Sequence, residues 1–234
     1  MLILSKLIRR RLSGNNILTA ALVTLAFLLI APSVQAGNQE EAFTAVRRGN
    51  TAALSKLLES GKVSPNIEDE NGNSLLILAV RDDHADAAKA VLRFRPRLDH
   101  HNHVGDSALM LAASKGNVEL LDLLLASGAK TNPIVGKNVW TALHYAALEG
   151  KLPAVERLLT AKANVNALTP NLSDALMLAA RNGHIDVVRR LLQTPIDLNR
   201  RNDRGVDAEE WARSKGNTNI AELIAKARTT RTRR

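Results

Sequence analysis

The stretch TALHYAA, residues 141–147, decides the fold because related stretches recur along the chain at a nearly fixed interval. Its sixth residue is Ala146, and matching alanines lie 33 or 34 residues apart on both sides of it. These alanines are Ala45, Ala79, Ala112, Ala146, Ala179 and Ala212. A period of this length is typical of proteins that repeat one small structural unit. The sequence therefore predicts six copies of one unit.

Each copy carries the signals of two short helices joined by a tight turn. Five positions before the alanine stands a residue that can cap a helix N-terminus, and these residues are Ser74, Ser107, Thr141, Asp174 and Asp207. Four positions after it stands a residue suited to positive φ, and these are Gly49, Asp83, Gly116, Gly150, Gly183 and Gly216. Apolar residues then follow at helical spacing, as in Leu121, Leu124 and Leu125.

One such unit is too thin to bury its own apolar face, whereas neighbouring copies can share a continuous core. Paired alanines, such as Ala146 and Ala147, leave room for the first helices of adjacent copies to approach closely. The pattern therefore predicts an all-α stack of helix pairs.

The stretch at 141–147, the segment at 115–118 and the segment at 183–188 resemble the ankyrin repeat family. The resemblance covers about residues 39–225 and implies an ankyrin-repeat solenoid of about six helix-turn-helix repeats. Two features depart from the family pattern. The proline that usually follows the cap is absent, and the glycine after the second helix remains only as Gly61 and Gly128, so we expect looser turns in the other copies.

The first residues have the pattern of an export signal. Lys6 and residues 9–11 form a basic head, and an apolar run of about 14 residues follows at Ile17 to Ile30. Because this run is shorter than the roughly 20 residues of a membrane-spanning helix, we predict a signal peptide cleaved after Ala36; an uncleaved anchor is the alternative. The chain has no cysteine for a lipid anchor or a disulfide.

These signals divide the chain into five parts. We predict a signal peptide at 1–36, an N-terminal capping repeat at 37–68, four central repeats at 69–201, a C-terminal capping repeat at 202–225 and a basic disordered tail at 226–234. Glu209 stands where other copies carry leucine, which fits a last repeat with one face toward water.

The net charge of +9 comes from the two ends of the chain. Four basic residues lie in the first 36 positions and five lie in the last nine, which leaves the body formally neutral. A neutral body with few aromatic side chains does not suit nucleic-acid binding. The sequence also lacks a phosphate-binding loop or a nucleophile with a base, so we predict no enzyme activity and no cofactor.

The resemblance implies that a protein partner is bound by the loop tips and by the inner face of the first helices. Trp140 and Leu148 place apolar side chains on this otherwise polar surface, and we predict that Trp140 anchors the partner. The alternative is that Trp140 folds back on its own loop. The predicted partner-binding residues are Asn71, Asn73, Arg81, His103, Val104, Asp106, Lys115, Lys137, Asn138, Trp140, Leu148, Glu149, Asn171 and Arg181.

Histidines receive three interpretations. His100, His101 and His103 share one loop and could hold a transition metal, but we favour a solvated polar loop and predict no metal site. His144 and His184 are interpreted as structural, because the family uses histidine at these positions for turn and inter-repeat hydrogen bonds.

Together these features predict a monomeric, non-enzymatic scaffold, inhibitor or assembly factor that acts on another exported protein, in the periplasm or outside the cell. Two alternatives stay open: a secreted effector that binds a host or competitor protein, and a periplasmic protein that handles metal. No nucleic acid and no stable membrane anchor after signal cleavage are expected.

Overall fold

The computed structural model describes residues 35–132 and 139–232, which form twelve α-helices and no β-strand. The first helices of the six repeats are α1 (35–47), α3 (Leu75–Arg81), α5 (Ala108–Lys115), α7 (Ala142–Leu148), α9 (Ala175–Asn182) and α11 (Ala208–Ser214). The second helices are α2 (Thr51–Glu59), α4 (Ala85–Leu92), α6 (Val118–Ala126), α8 (Leu152–Thr160), α10 (Ile185–Leu191) and α12 (Thr218–Thr232). The predicted all-α repeat fold is confirmed.

The helix starts follow the predicted capping residues. Ser74 precedes α3 and accepts a hydrogen bond from the N–H of Ile77 at 3.3 Å, and Asp174 precedes α9 and accepts one from Met177 at 2.9 Å. Each cap satisfies an N–H group that has no partner within its helix. The five predicted caps are confirmed, since Ser107, Thr141 and Asp207 act in the same way.

The turns keep a left-handed residue even where glycine is missing. Asp83 has φ 58° at the position that Gly150 occupies with φ 66°. After the second helices, Arg95 and Lys162 adopt φ 51° and φ 61° at positions equivalent to Gly61 and Gly128. The expectation of looser turns there is wrong, because the stack imposes the same turn at a local cost of about 1–2 kcal/mol for a residue with a Cβ.

The helices stack in two layers. Successive first helices pack against each other from α3 to α11, and successive second helices do so from α2 to α12. Ala112, Ala146 and Ala179 are fully buried between first helices, where a longer side chain would force the helices apart. Leu121, Leu158 and other large side chains of the second helices are fully buried between the layers. The core is therefore continuous along the stack.

Polar bonds also tie each repeat to the next. His184 Nε2 lies 2.8 Å from the carbonyl oxygen of Leu148, which belongs to the preceding repeat. At the opposite end of the repeats, the side-chain oxygen of Asn166 accepts a hydrogen bond from the N–H of Asp197 at 2.8 Å. The interpretation of His184 as structural is confirmed.

The predicted disordered tail is helical as far as it is described. Helix α12 continues to Thr232, and Arg231 donates hydrogen bonds to the carbonyl oxygens of Ile196 and Leu192 at 2.6 and 2.7 Å. Arg228 donates to Glu209 at 3.0 Å. The prediction of disorder is therefore wrong for residues 226–232. Carbonyl and carboxylate oxygens of the last two repeats accept hydrogen bonds from the arginine side chains and so hold this segment in place. Residues 233 and 234 lie outside the described residues.

The same contact corrects the interpretation of Glu209. Its side chain is only 17% exposed, because Arg228 covers it and Arg213 pairs with it at 3.0 Å. The extended last helix thus covers Glu209, which was predicted to face water.

The predicted signal peptide falls almost wholly outside the described residues, which begin at residue 35, and it stays a prediction. Within residues 35–132 and 139–232, no helix combines the length and the apolar character that crossing a bilayer requires.

Candidate protein-binding surface

A groove of about 550 Å³ opens between the loop tips of the third and fourth repeats. We call it the tip groove. One side is the loop at 101–107, and the other side is formed by residues 139–142 at the start of α7. The side chains of Leu109, Met110 and Tyr145 give it an apolar floor. The groove lies on the surface where the resemblance places partner binding.

Trp140 lines this groove and also packs on its own repeat. Its ring is half-buried and meets Tyr145 edge to face, with ring centroids 5.4 Å apart, and His144 at 5.9 Å. Such aromatic pairs add about 0.5–1.5 kcal/mol beyond the area that they bury. Trp140 therefore packs on its own repeat, and this packing also holds its ring at the tip groove, where it could contact a partner.

Tyr145 links the two repeats that form the groove. Its hydroxyl donates a hydrogen bond to Asp106 Oδ1 at 2.5 Å, across 39 residues of sequence. Burial, together with the adjacent Asp106 carboxylate, raises the pKa of Tyr145 well above its ordinary value, so the phenol stays protonated as the donor. Tyr145 is half-buried. Asp106, predicted to bind a partner, is half-buried and engaged by this bond.

His144 is buried beneath Trp140 and is 1% exposed. Its Nδ1 accepts a hydrogen bond from the N–H of Thr141 at 3.0 Å, and its Nε2 lies 3.0 Å from the carbonyl oxygen of Ala167, 23 residues further along the chain. Burial lowers the pKa of His144 to about 4, so the imidazole is neutral near pH 7. The structural interpretation of His144 is confirmed, and the ring adds no charge beneath the groove.

Val104 stands at the rim of the tip groove with 81% of its surface exposed. Within the described ranges, it is the large apolar residue exposed to this degree. The loop that carries Val104 is held in place, since the N–H of His103 donates to the carbonyl oxygen of Asn71 at 3.0 Å and the N–H of Val104 donates to Asn102 Oδ1 at 3.2 Å. An exposed apolar side chain on an ordered loop is a candidate contact residue.

The other predicted tip residues divide into three groups. Asn71, His103 and Asn171 are exposed, as predicted. Lys137 and Asn138 lie outside the described residues. Asn73 is only 3% exposed, and its side chain bonds to Asp69 at 3.1 Å and to Asn102 at 2.9 Å. Its predicted exposure is therefore wrong.

The inner face of the first helices is dominated by ionic and aromatic pairs. Lys115 Nζ lies 2.7 Å from the carboxylate of Asp83 in the preceding repeat. The guanidinium of Arg181 lies over the half-buried ring of Trp211, 5.0 Å from its centroid. Glu149 is exposed.

Two further predicted residues of this face, Arg81 and Leu148, are only half-buried. Arg81 pairs with Asp82 at 3.2 Å. The carbonyl oxygen of Leu148 accepts a bond from Asn182 at 2.8 Å. Both residues keep part of their surface open to solvent, so their binding role stays a prediction.

The histidine loop is used for contacts within the protein. His100 Nε2 lies 2.7 Å from the carbonyl oxygen of Gly72, 28 residues earlier in the chain. His103 packs over Gly72, and His101 lines the tip groove. Among the residues that the structure describes, no three His, Cys, Asp or Glu side chains come together as a metal site.

Sequence reasoning missed several groove residues. Asp99 and Lys130 line the groove and pair at 3.6 Å, although they lie 31 residues apart. Met110 was hidden among the core positions of α5. The sequence signal for the groove is that Val104 and Trp140 are apolar residues at the tips of neighbouring repeats, but only the folded structure shows that their loops enclose one groove.

The repeated helix pairs, their capped starts and their shared core define a class of helical repeat protein. A family model described as "Ankyrin repeats (3 copies)" matches residues 42–135, 81–169 and 143–233. These matches span most of the chain. The chain therefore belongs to the ankyrin repeat family.

Two curated proteins are similar to part of this chain. A probable E3 ubiquitin-protein ligase XBOS32 from Oryza sativa subsp. japonica is 36% identical over 39% of this chain and 18% of its own length. The nuclear factor NF-kappa-B p105 subunit of Mus musculus is 37% identical over 33% of this chain and 8% of its own length. The chain thus spans less than a third of the curated relatives that it matches.

A solved structure matches much more completely. It is that of the predatory endopeptidase Bd0816 from Bdellovibrio bacteriovorus in complex with the immunity protein Bd3460. The match has a TM-score of 0.70 and 26% identity, and it covers 80% of this chain and 97% of the matched chain. Together with the family match, it supports a non-enzymatic role in binding proteins.

Proposed function

We propose that the chain is a non-enzymatic inhibitor of another exported protein, and that the partner is an endopeptidase. The observation that carries the proposal is the match over 97% of a chain from a complex between an endopeptidase and an immunity protein. The matches to the ubiquitin ligase and to p105 span short parts of much longer proteins, so they support the repeat fold alone.

The features of the surface support binding rather than catalysis. Trp140 and Val104 flank a groove with an apolar floor, as expected of an interface whose centre excludes water. Export rests on the predicted signal peptide at 1–36, and the periplasm is the proposed compartment. Within it, the chain would protect its own cell from the activity of the endopeptidase.

The test is a pull-down from periplasmic extract with the chain beginning at residue 37. We expect one exported protein to co-purify with it, and we expect addition of the purified chain to reduce hydrolysis of a peptide substrate by that protein in proportion to the complex formed. The control bait is Leu143→Asp, which places a charge at a site that is 1% exposed and unfolds the stack.

Two results would contradict the proposal. Recovery of the same proteins with both baits would show that no specific surface is involved. A specific partner whose hydrolytic activity is unchanged at saturation would show that the chain binds without inhibiting.

A further inference from the structure

A second groove lies in the layer of second helices, between α10 and α12 near the C-terminal end of the stack. We call it the basic groove. Side chains from residues 189–193 line one side, and side chains from residues 223–231 of α12 line the other. Leu192, Leu223 and Ala227 are only partly buried, and they give the groove an apolar floor. The basic groove is therefore separate from the tip groove, which lies between loop tips and first helices.

The charged side chains that line the basic groove are all positive. They are Arg189, Lys226 and Arg231. Lys226 forms no ion pair with another described residue, although the exposed Glu222 lies one turn before it on α12. Arg189 pairs with Asp186 at 3.3 Å, but the two side chains are 60% and 67% exposed, so water screens this pair strongly. The groove therefore keeps an excess of positive charge.

Arg231 is held in place without being neutralised. Its guanidinium donates hydrogen bonds to the carbonyl oxygens of Ile196, Leu192 and Thr194 at 2.6, 2.7 and 2.7 Å. Carbonyl oxygens carry no net charge, so the guanidinium stays positive while its position is fixed. A cation that is fixed before binding loses less conformational entropy when it meets a carboxylate.

We propose that the basic groove binds an acidic segment of a second protein, in which apolar side chains accompany the carboxylates. The carboxylates pair with Lys226 and Arg231, and the apolar side chains cover Leu192 and Leu223. An anionic bilayer presents a flat surface, which would meet the cations at the rim without covering the floor between two helices. Because the two grooves lie in different layers of the stack, both can be occupied at once, and this inference does not rest on the proposed function.

The test is fluorescence anisotropy of labelled peptides with the purified chain. The first peptide is ELDELDE, and in the second, QLNQLNQ, amides replace every carboxylate. In about 0.15 M salt the acidic peptide should bind at least about tenfold more tightly, because it alone brings negative charge to the cations. A third peptide, ESDESDE, should bind more weakly than the first, because serine leaves the apolar floor exposed to water.

Lys226→Glu and Lys215→Glu form a matched pair of variants. Both lysines are exposed and both changes reverse one charge, but only Lys226 lines the groove, whereas Lys215 follows α11 in the layer of first helices. Lys226→Glu should weaken binding of the acidic peptide by at least about tenfold, and Lys215→Glu should stay within about twofold. Lys226→Arg keeps the charge and should bind like the unaltered chain. Circular dichroism should show all three variants folded.

Three results would overturn the assignment. Equal affinity for the acidic and the amide peptides would show that charge does not select the occupant. Equal weakening by the two glutamate variants would show a general effect of net charge. Sedimentation of the chain with vesicles of phosphatidylglycerol and phosphatidylcholine, without binding of the acidic peptide, would show that the groove faces a membrane. Inhibition of an endopeptidase is measured separately by hydrolysis, so failure here leaves the proposed function standing.

Discussion

Replacing Gly150 by alanine is expected to destabilise the fold by about 3 kcal/mol. Gly150 has φ 66°, a conformation that costs a residue with a Cβ about 1–2 kcal/mol. A Cβ there would also come within 2.7 Å of Cγ in the His184 ring. The ring is held by its bond to Leu148, so moving it sacrifices an inter-repeat hydrogen bond worth about 1 kcal/mol.

Gly216→Ala is the matched control. Gly216 holds the same position in the last repeat with φ 80°, and in the described part of the chain no neighbouring atom lies within 4 Å of the place that an alanine methyl group would occupy. It should therefore cost only the backbone term of about 1–2 kcal/mol. Urea unfolding followed by circular dichroism measures both variants, and equal losses would show that Gly150 has no role between repeats.

Lowering the pH should destabilise the protein through His144. The folded-state pKa of His144 is about 4, against an ordinary value of 6.5, because burial disfavours the imidazolium. Below about pH 6.5 the unfolded chain takes up a proton that the folded chain resists. The contribution of neutral His144 to the free energy of unfolding is thus fully present above pH 6.5. It is lost as the pH falls toward 4, which lowers the free energy of unfolding by about 3 kcal/mol.

Protonation of Asp174 changes the stability in the opposite direction, so its effect must be measured separately from that of His144. Burial raises its pKa to about 6 from an ordinary 3.8, so the folded chain binds a proton more readily than the unfolded chain. The contribution of protonated Asp174 to the free energy of unfolding is fully present below pH 3.8 and is lost as the pH rises through 6. The two effects partly cancel, and the pH profile of the unaltered protein alone cannot show either.

His144→Gln isolates the histidine. Glutamine at this position can still reach back to the N–H of Thr141 in a capping box, and it does not titrate. We expect the free energy of unfolding of the unaltered chain, relative to His144→Gln, to fall by about 3 kcal/mol between pH 7 and pH 4. Parallel profiles for the two proteins would show that His144 is free to become charged in the folded state.

The fold could be predicted from the sequence because each repeat carries the same local signals. Ala146 marks the close approach of first helices, Thr141 caps one of them, and Gly150 supplies the turn, so three independent requirements agree. Because each repeat lies between similar repeats, stacking them in chain order is the simplest arrangement that buries their apolar faces.

Contacts between distant residues could not be predicted in this way. Asn73 looked exposed because its position in the loop is polar, yet it bonds to Asp69 and Asn102. The sequence predicts a disordered basic tail because large apolar residues are absent from it, yet Arg231 donates hydrogen bonds to three backbone carbonyl oxygens of the preceding repeat. Arginine can stabilise a helix end by hydrogen bonds alone, and hydrophobic periodicity does not report such bonds.

The candidate binding surface could be predicted in part. Trp140 is predicted as the anchor because it is a large aromatic residue on a polar surface, Val104 is predicted from its aligned position in a loop tip, and the structure places both at one groove. The ion pair of Asp99 and Lys130 was missed, since its partners come from different repeats. Aligned position in the repeat therefore predicts which residues lie in the loop tips, but only the stacked arrangement shows which of them line one groove.

The most direct test is hydrogen exchange on the chain with and without its captured partner. Binding in the tip groove should slow exchange at backbone amides in 101–107 and 139–145 and leave helices α8 and α10 unchanged. Protection confined to the second helices, with no change at either of these two segments, would contradict the assignment of the tip groove as the protein-binding site.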